Sequence, residues 1–407
     1  MAFTCFARNF PRYEEVIRES WRATRRDILK VINRVSYRSV LTLYLFGQTP
    51  IPVGISEEEE LDGINGVVCV QTALLQLQRL RERLRSCRFD GLGVSKSDPS
   101  STESPVVAQA FIDLESRAYW AAVTWDTSSA VTQNIRSSLT SGLKGACLEP
   151  AWRLARGFLV GSFHAKTEEW HEQPFEMTDE AAFQIISATG VCSIYTWRTI
   201  ASLKEALREG VEEGDILFAW NAFLDALDVF QTTICPLLGM CKNSLHFLGQ
   251  VERLNWYEVT LHYHLGILIL ADAVEAADRP DLLSQLKEMR LESEMECFNA
   301  LKFGLETKYT ISGLEIESDY ASDVGSAAHS PLKNITISFI AIDPYPQHVV
   351  TSVQYLQKAI SRKYRQGSMK QETYSYLSST LLGVVEQLPQ SSNAVQSARE
   401  GLLERTI

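Results

Sequence analysis

The chemistry this chain can do starts with four residues close together: Asp272, Glu275, Leu283 and Lys287. Two carboxylates can hold a hard divalent cation such as magnesium through oxygen ligands. An ammonium a little further on can take up the charge of a departing anion. The carboxylates end a long apolar run, Tyr257 to Ala277, which lacks proline and is long enough for about six helical turns. At about 100° per residue Leu261, Leu265 and Leu268 share one face, Asp272 continues their stripe, and Glu275 lies about 60° from it. Asp278-Arg279-Pro280 ends this helix and starts another, because proline suits a first helical turn and disfavours helical geometry just before it. On the second helix Leu283 and Lys287 stand one turn apart on the same side. This pattern describes an apolar pocket wall with two carboxylates and a cation at its rim, suited to a hydrophobic molecule with an anionic head. It also describes a core helix with a solvated end.

A second polar stripe lies in DILFAWNAFLDALDVFQ, residues 215–231. Asn221, Asp225 and Asp228 fall at about 0°, 40° and −20° around the helix. Trp220, Phe223 and Phe230 cover most of the rest, so this helix is expected to be buried. Buried carboxylates need partners, because an unpaired buried charge is very costly. The partner is either an Arg or Lys from another helix or a metal ion. If the helix faces 257–277, Asp225 and Asp228 converge with Asp272 and Glu275 on magnesium. His262 and His264 project to different sides of their helix and are not a matched ligand pair. The aromatics Trp120, Trp125, Tyr195, Trp197, Trp220 and Phe223 fit a core, and equally a pocket that stabilises a carbocation through its ring faces. No HExxH, GxSxG, P-loop or dinucleotide fingerprint occurs.

Around these residues the chain is ordinary in composition. It has 407 residues, 45% hydrophobic and 22% charged, with ample apolar content for a large core. A net charge of −11 repels phosphate backbones, which argues against nucleic acid as a partner. The eight cysteines are scattered with no CxxC, so no zinc module or redox pair is visible, and their apolar neighbours suit a reducing, cytoplasmic compartment. The start, MAFTCFARNFPRYEE, has no apolar core of a secretory signal. The apolar runs are broken by polar residues well short of a membrane span, so no membrane insertion is expected.

Helical periodicity runs through almost the whole chain. Thr178 is placed to cap a helix over 178–210 and Gly210 to stop it. A break is expected near Pro236 and Gly239. ITISFIAI (335–342) is the lone strand candidate. Gly/Ser-rich segments at 90–105 and 310–334 read as mobile loops within one domain spanning 1–407. The fold class is therefore all-α, a single large domain of roughly a dozen helices; no short repeat points to a solenoid.

Several stretches resemble the regulatory domain of fungal binuclear zinc-cluster transcription factors: LYLFGQTPIPVG, GVVCVQTALLQLQRLRERLR, YWAAVTWDTSSAV, LEPAWRLARGF, HYHLGILILADAVEAADRPDLL and IDPYPQHVVTSVQYLQKAISRKYRQG. The six-cysteine DNA-binding module of those factors is missing from this sequence. The Leu283/Lys287 pair directly after an acidic helix end is similar to a second family, the fungal humulene synthases of tropolone-sesquiterpenoid pathways. That atypical group of terpene cyclases is all-helical, of about this size, and without the usual cyclase motifs. This sequence likewise has no Asp-Asp dipeptide, which excludes DDxxD and DxDD, and no evident NSE triad. The resemblance implies a two-magnesium cluster and an essential lysine holding farnesyl diphosphate, with the residue one turn before the lysine controlling product geometry. Carried over, Lys287 binds the leaving diphosphate and Leu283 steers the chain. Asp272, Glu275, Asp225, Asp228 and Asn221 are the candidate magnesium ligands, and Leu261, Leu265, Leu268 and Trp220 the candidate walls for the prenyl chain. The expected activity is conversion of farnesyl diphosphate into a humulene-type macrocyclic hydrocarbon in fungal secondary metabolism. The first resemblance implies the alternative, a non-catalytic regulatory domain without DNA-binding capacity.

Overall fold

A computed structural model describes residues 12–89, 105–139, 142–172, 176–311 and 334–404. The expected mobile loops, 90–105 and 310–334, fall almost wholly outside the described residues. Helices make up 79% of the structure, so the chain is all-α as its periodicity predicts. The first half carries α1 (Arg12–Val31), α2 (Tyr37–Gly47), α3 (Glu57–Leu61), α4 (Gly66–Phe89), α5 (Pro105–Thr132), α6 (Gly145–Leu148), α7 (Pro150–Gly157), α8 (His164–Glu172) and α9 (Asp179–Glu209). Next come α10 (Glu213–Val229), α11 (Cys235–Ser244), α12 (Gln250–Ala276), α13 (Pro280–Gln285) and α14 (Lys287–Glu306). After a strand pair follow α15 (Phe339–Ile342), α16 (Pro346–Arg365), α17 (Gln371–Gln387) and α18 (Asn393–Leu403).

The helix ends follow the local chemistry. Thr178 Oγ1 accepts the Ala181 amide at 3.2 Å, and Gly210 closes α9 in a left-handed conformation with φ 61°. Ser56 caps α3 by accepting the Glu59 amide, and four glutamates follow in its first turn, where the helix dipole favours negative charge. Pro280 sits in the first turn of α13, and the corner before it uses Asp278 at φ 51°, a left-handed position that Asp tolerates better than most residues. The break expected near Pro236 takes a different form. The backbone passes from α10 to α11 through a π-helical turn, Phe230–Ile234, and Pro236 stands in the first turn beyond it. A proline lacks an amide donor, so widening the turn ahead of it avoids a loop.

The strand candidate splits in two. β1 (Lys308–Ile311) pairs antiparallel with β2 (Ile335–Ser338), Lys308 opposite Ser338 and Ile311 opposite Ile335; the second half of the apolar run becomes α15. β1, KYTI, has no comparable apolar alternation to mark it as a strand.

The large core gathers around α9 and α12. It is built from Trp197, Ile200 and Leu203 of α9, Tyr257, Leu261 and Leu265 of α12, and apolar residues of α14, α16 and α17. Gly266 lets α12 approach α9: a Cβ there would collide with the Trp197 indole, whose Nε1 donates to the His262 carbonyl at 2.9 Å. A second core packs Trp21, Ile28, Leu43, Phe46 and Leu74 from α1, α2 and α4. Segments far apart in the chain meet where Val53 donates to the Ser391 carbonyl and Asn393 to the Ile51 carbonyl.

The expectation that no segment reaches membrane-span length needs correcting. Glu213–Ser244 and Gln250–Ala276 are each long and apolar enough. Their most apolar windows are 50% and 67% buried inside the protein, and packing against neighbouring helices accounts for that apolarity.

Candidate functional site

The structure does not gather the two acidic stripes. Asp225 is held by Arg156 of α7 in a two-pronged pair, Nε to Oδ2 and Nη2 to Oδ1, both 2.7 Å. The Tyr195 hydroxyl lies 3.4 Å from Oδ2. The Arg156 hydrogen bonds hold the Asp225 carboxyl below its ordinary value, so its lone pairs are already engaged by a protein cation. Asp228 and Asn221, on the same helix, are exposed. Asp272 meets Lys358 of α16 at 2.6 Å, and Glu275 meets Arg290 of α14 at 3.1 Å. Among the described residues no three His, Cys, Asp or Glu side chains stand close enough to hold one metal ion. The five expected magnesium ligands therefore do not fit one site. Asp225 took the other partner considered for it, an arginine, and that arginine comes from 69 residues away.

Leu283 and Lys287 do share a site. They open onto a groove of ≈ 460 Å³ between α13, α14 and the end of α16. Arg290, Arg362 and Lys363 line the same groove, giving four cations with Lys287. One carboxylate, Glu294, lies beneath them. It is 6% exposed, and Lys363 Nζ donates to it at 2.7 Å and Arg362 Nη2 at 3.1 Å, with Arg290 Nε 3.5 Å away. Counting Glu275, which Arg290 also holds, the four cations face two carboxylates among the described residues and leave two positive charges in excess. Among the described residues Lys287 makes no hydrogen bond or ion pair, and it is exposed at the mouth. In a chain of net charge −11 this groove is a local concentration of positive charge.

The apolar wall differs from the expected one. Leu261, Leu265 and Leu268 are 0%, 0% and 4% exposed, packed in the main core, and none borders the groove. Trp220, 3% exposed, packs in that same core with its ring 5.7 Å from that of Phe223. Because α12 is enclosed by α9, α14 and α16, its leucine stripe faces protein on every side. The groove's apolar lining is Pro280, Leu283 and Leu291.

A second site brings Trp125 and Trp197, aromatics that fit a core or a pocket equally by sequence, together with Tyr44, His262, Tyr345 and His348. Tyr44, Trp125, Trp197, His262, Tyr345 and His348 surround a chamber of ≈ 60 Å³ between α2, α5, α9, α12 and the start of α16. Tyr44 stacks on Trp125 with centroids 3.3 Å apart, and Tyr345 on His348 at 5.1 Å. The His262 and His348 rings meet edge to face at 5.0 Å. Burial pushes both imidazoles below their ordinary values, His348 the further, with His262 beside it adding to the effect. Behind them Asp343 accepts the Tyr257 hydroxyl at 2.9 Å and the Tyr345 amide at 2.7 Å. Burial raises the Asp343 carboxyl, and burial together with Asp343 pushes Glu258 up to about 7. A signal was present in the sequence. LYLFGQTP, VTWDTSS, SIYTW, HYH and PYPQH all carry chamber residues, but on five separate segments no spacing rule joins them.

Gln48, Tyr345 and His348 also border a wider cleft of ≈ 300 Å³ that reaches Phe46, Ile51 and Asn393. No protein-family model, curated protein or solved structure matches this chain.

Proposed function

We propose that the Lys287 groove binds the diphosphate of farnesyl diphosphate and that the chain is a sesquiterpene cyclase releasing a humulene-type hydrocarbon. The observation that carries this reading is the single groove shared by Leu283, Lys287, Arg290, Arg362 and Lys363, with its surplus of positive charge. The resemblance of the Leu283/Lys287 pair supports it independently.

In this reading Lys287, Lys363 and Arg362 hold the diphosphate, and the arginine fork suits two phosphate oxygens at once. Their charge stabilises the anion that forms as the C1–O bond breaks and oxygen keeps the electron pair. The distal double bond of the chain then supplies its π electrons to C1, closing the ring, and a proton is lost to leave a neutral hydrocarbon. Leu283 and Leu291 touch the first carbons of the chain and set which face of C1 is presented. Magnesium carried by the substrate diphosphate would supply partial neutralisation of its charge; the carboxylates nearest the groove, Glu275 and Glu294, are already paired with Arg290, Arg362 and Lys363. The substrate is a prenyl diphosphate, with no nucleic acid partner, and the setting is cytoplasmic fungal secondary metabolism.

The test is incubation of purified protein with farnesyl diphosphate and magnesium, with hydrocarbons read by gas chromatography. The reading predicts turnover that Lys287→Ala abolishes and a changed product ratio in Leu283→Phe. No turnover, or a product unaffected by Lys287→Ala, removes it. The second reading, a non-catalytic regulatory domain that binds a small ligand, draws on the aromatic chamber and predicts binding without turnover.

A further inference from the structure

The aromatic chamber is built from parts that a core does not need. Cores satisfy their buried polar atoms, yet here three atoms around one small space have no hydrogen-bond partner among the described residues: Ser193 Oγ, His262 Nε2 and His348 Nδ1. Ser193 and His348 are 5% and 7% exposed, so bulk solvent does not serve them. His348 uses its other nitrogen on Ser128, 3.2 Å away, which leaves Nδ1 directed elsewhere. The walls are flat: the stacked pair Tyr44–Trp125, the Trp197 indole and the stacked pair Tyr345–His348.

The electrostatics select the occupant. Among the described residues no Lys or Arg lines the chamber or the cleft that shares its border, and Glu60 is the one charged side chain on the cleft wall. An anion such as diphosphate has no partner there. Both imidazoles are held neutral by burial, and Asp343 spends its oxygens on Tyr257 and Tyr345. What remains is a ring-faced slot with uncharged donors and acceptors along one side.

We infer that the chamber and its bordering cleft form a second ligand site, separate from the Lys287 groove, for a neutral planar ring bearing a hydroxyl or carbonyl group. The ring lies in the cleft against the Tyr345–His348 stack, and its oxygen reaches into the chamber toward Ser193 Oγ and the free nitrogens of His262 and His348. Entry is through the cleft bordered by Gln48, Tyr345 and His348. The chamber's ≈ 60 Å³ holds a hydroxyl or carbonyl group but not a ring, which needs a cavity of about 150 Å³, so the ring itself sits in the ≈ 300 Å³ cleft. Ring-on-ring packing supplies affinity, and the unmet hydrogen bonds supply selectivity, because an apolar isostere leaves them unmet.

Isothermal titration of the whole protein with p-cresol, p-xylene and benzyltrimethylammonium tests this. The expected result is one saturable p-cresol site per chain, bound at least about tenfold more tightly than p-xylene and more tightly than the cation. Ser193→Ala and His348→Gln, each checked for an unchanged circular-dichroism spectrum, bring p-cresol toward p-xylene affinity. Saturating inorganic diphosphate leaves p-cresol binding unchanged, whichever way the cyclase assay falls. Absence of saturable p-cresol binding would mean a water-filled core defect and overturns the inference. So does equal affinity for p-xylene, tighter binding of the cation, or wild-type affinity in both variants.

Discussion

Glu294→Gln separates the two roles that the groove's geometry gives this carboxylate. Glu294 is 6% exposed and receives charge-assisted hydrogen bonds from Lys363 and Arg362, with Arg290 close by. Such bonds contribute about 1.5–3 kcal/mol each when buried. The cations are 36%, 32% and 17% exposed and regain water when the carboxylate goes, so the net loss of stability is reduced to about 2–3 kcal/mol. Anion binding moves the other way. Removing a negative charge roughly 8 Å from a bound diphosphate relieves about 2 kcal/mol of repulsion at an effective dielectric of about 20. Screening in an open groove trims this to about 1.4 kcal/mol, or a tenfold tighter dissociation constant. Urea unfolding reads the first effect and calorimetric titration with inorganic diphosphate the second. The variant is expected to be less stable and a better diphosphate binder. Unchanged stability together with unchanged or weaker diphosphate binding would refute the account of how the groove is charged.

Two pH effects follow from buried groups on α12. Burial pushes His264 down to about 4, so between about 4 and its ordinary value the unfolded chain binds more protons. Stability rises with pH over that window and is lost as pH falls through it, and His264→Gln should flatten the slope in urea unfolding measured from pH 4 to 6.5. Glu258, pushed up to about 7, has the opposite sign: the folded state binds more protons between its ordinary value and about 7, so stability declines as pH rises there, and Glu258→Gln removes the decline. Gly266→Ala forces a methyl into the Trp197 indole and should cost about 1–3 kcal/mol in the same assay, whereas Gly157→Ala, with open space at its Cβ, should not. Arg156→Ala breaks a pair whose members are 45% and 40% exposed, so it should cost no more than about 1 kcal/mol and leave turnover unaffected, since Asp225 lies outside the groove.

Much of the fold is legible in local signals. The Thr178 cap, the Gly210 stop and the Pro280 restart act over a few residues, and the helices obey them. Periodicity puts Leu283 and Lys287 on one helix; the structure breaks it at Leu286, placing Leu283 on α13 and Lys287 at the start of α14, yet both border the same groove. What fails is what depends on distant chain. Asp225 and Asp272 each need a partner, but Arg156 and Lys358 lie 69 and 86 residues away, and a one-sequence reading cannot say whether a carboxylate meets a cation or a metal. An apolar stripe is equally ambiguous. Leu261, Leu265 and Leu268 have the periodicity of a pocket wall, and burial by neighbouring helices makes them core. The chamber was hidden for a further reason: its aromatic residues look individually like core, and what sets it apart is three unmatched polar atoms converging on one cavity, which no single segment shows.

The account depends most on where the diphosphate sits. A crystal structure of the protein with a non-hydrolysable thiolo-diphosphate analogue of farnesyl diphosphate and magnesium tests this directly. The account predicts diphosphate density within hydrogen-bond reach of Lys287, Lys363 and Arg362, with the first prenyl carbons against Leu283. Diphosphate density elsewhere on the chain, with the Lys287 groove vacant at saturating analogue, would contradict it.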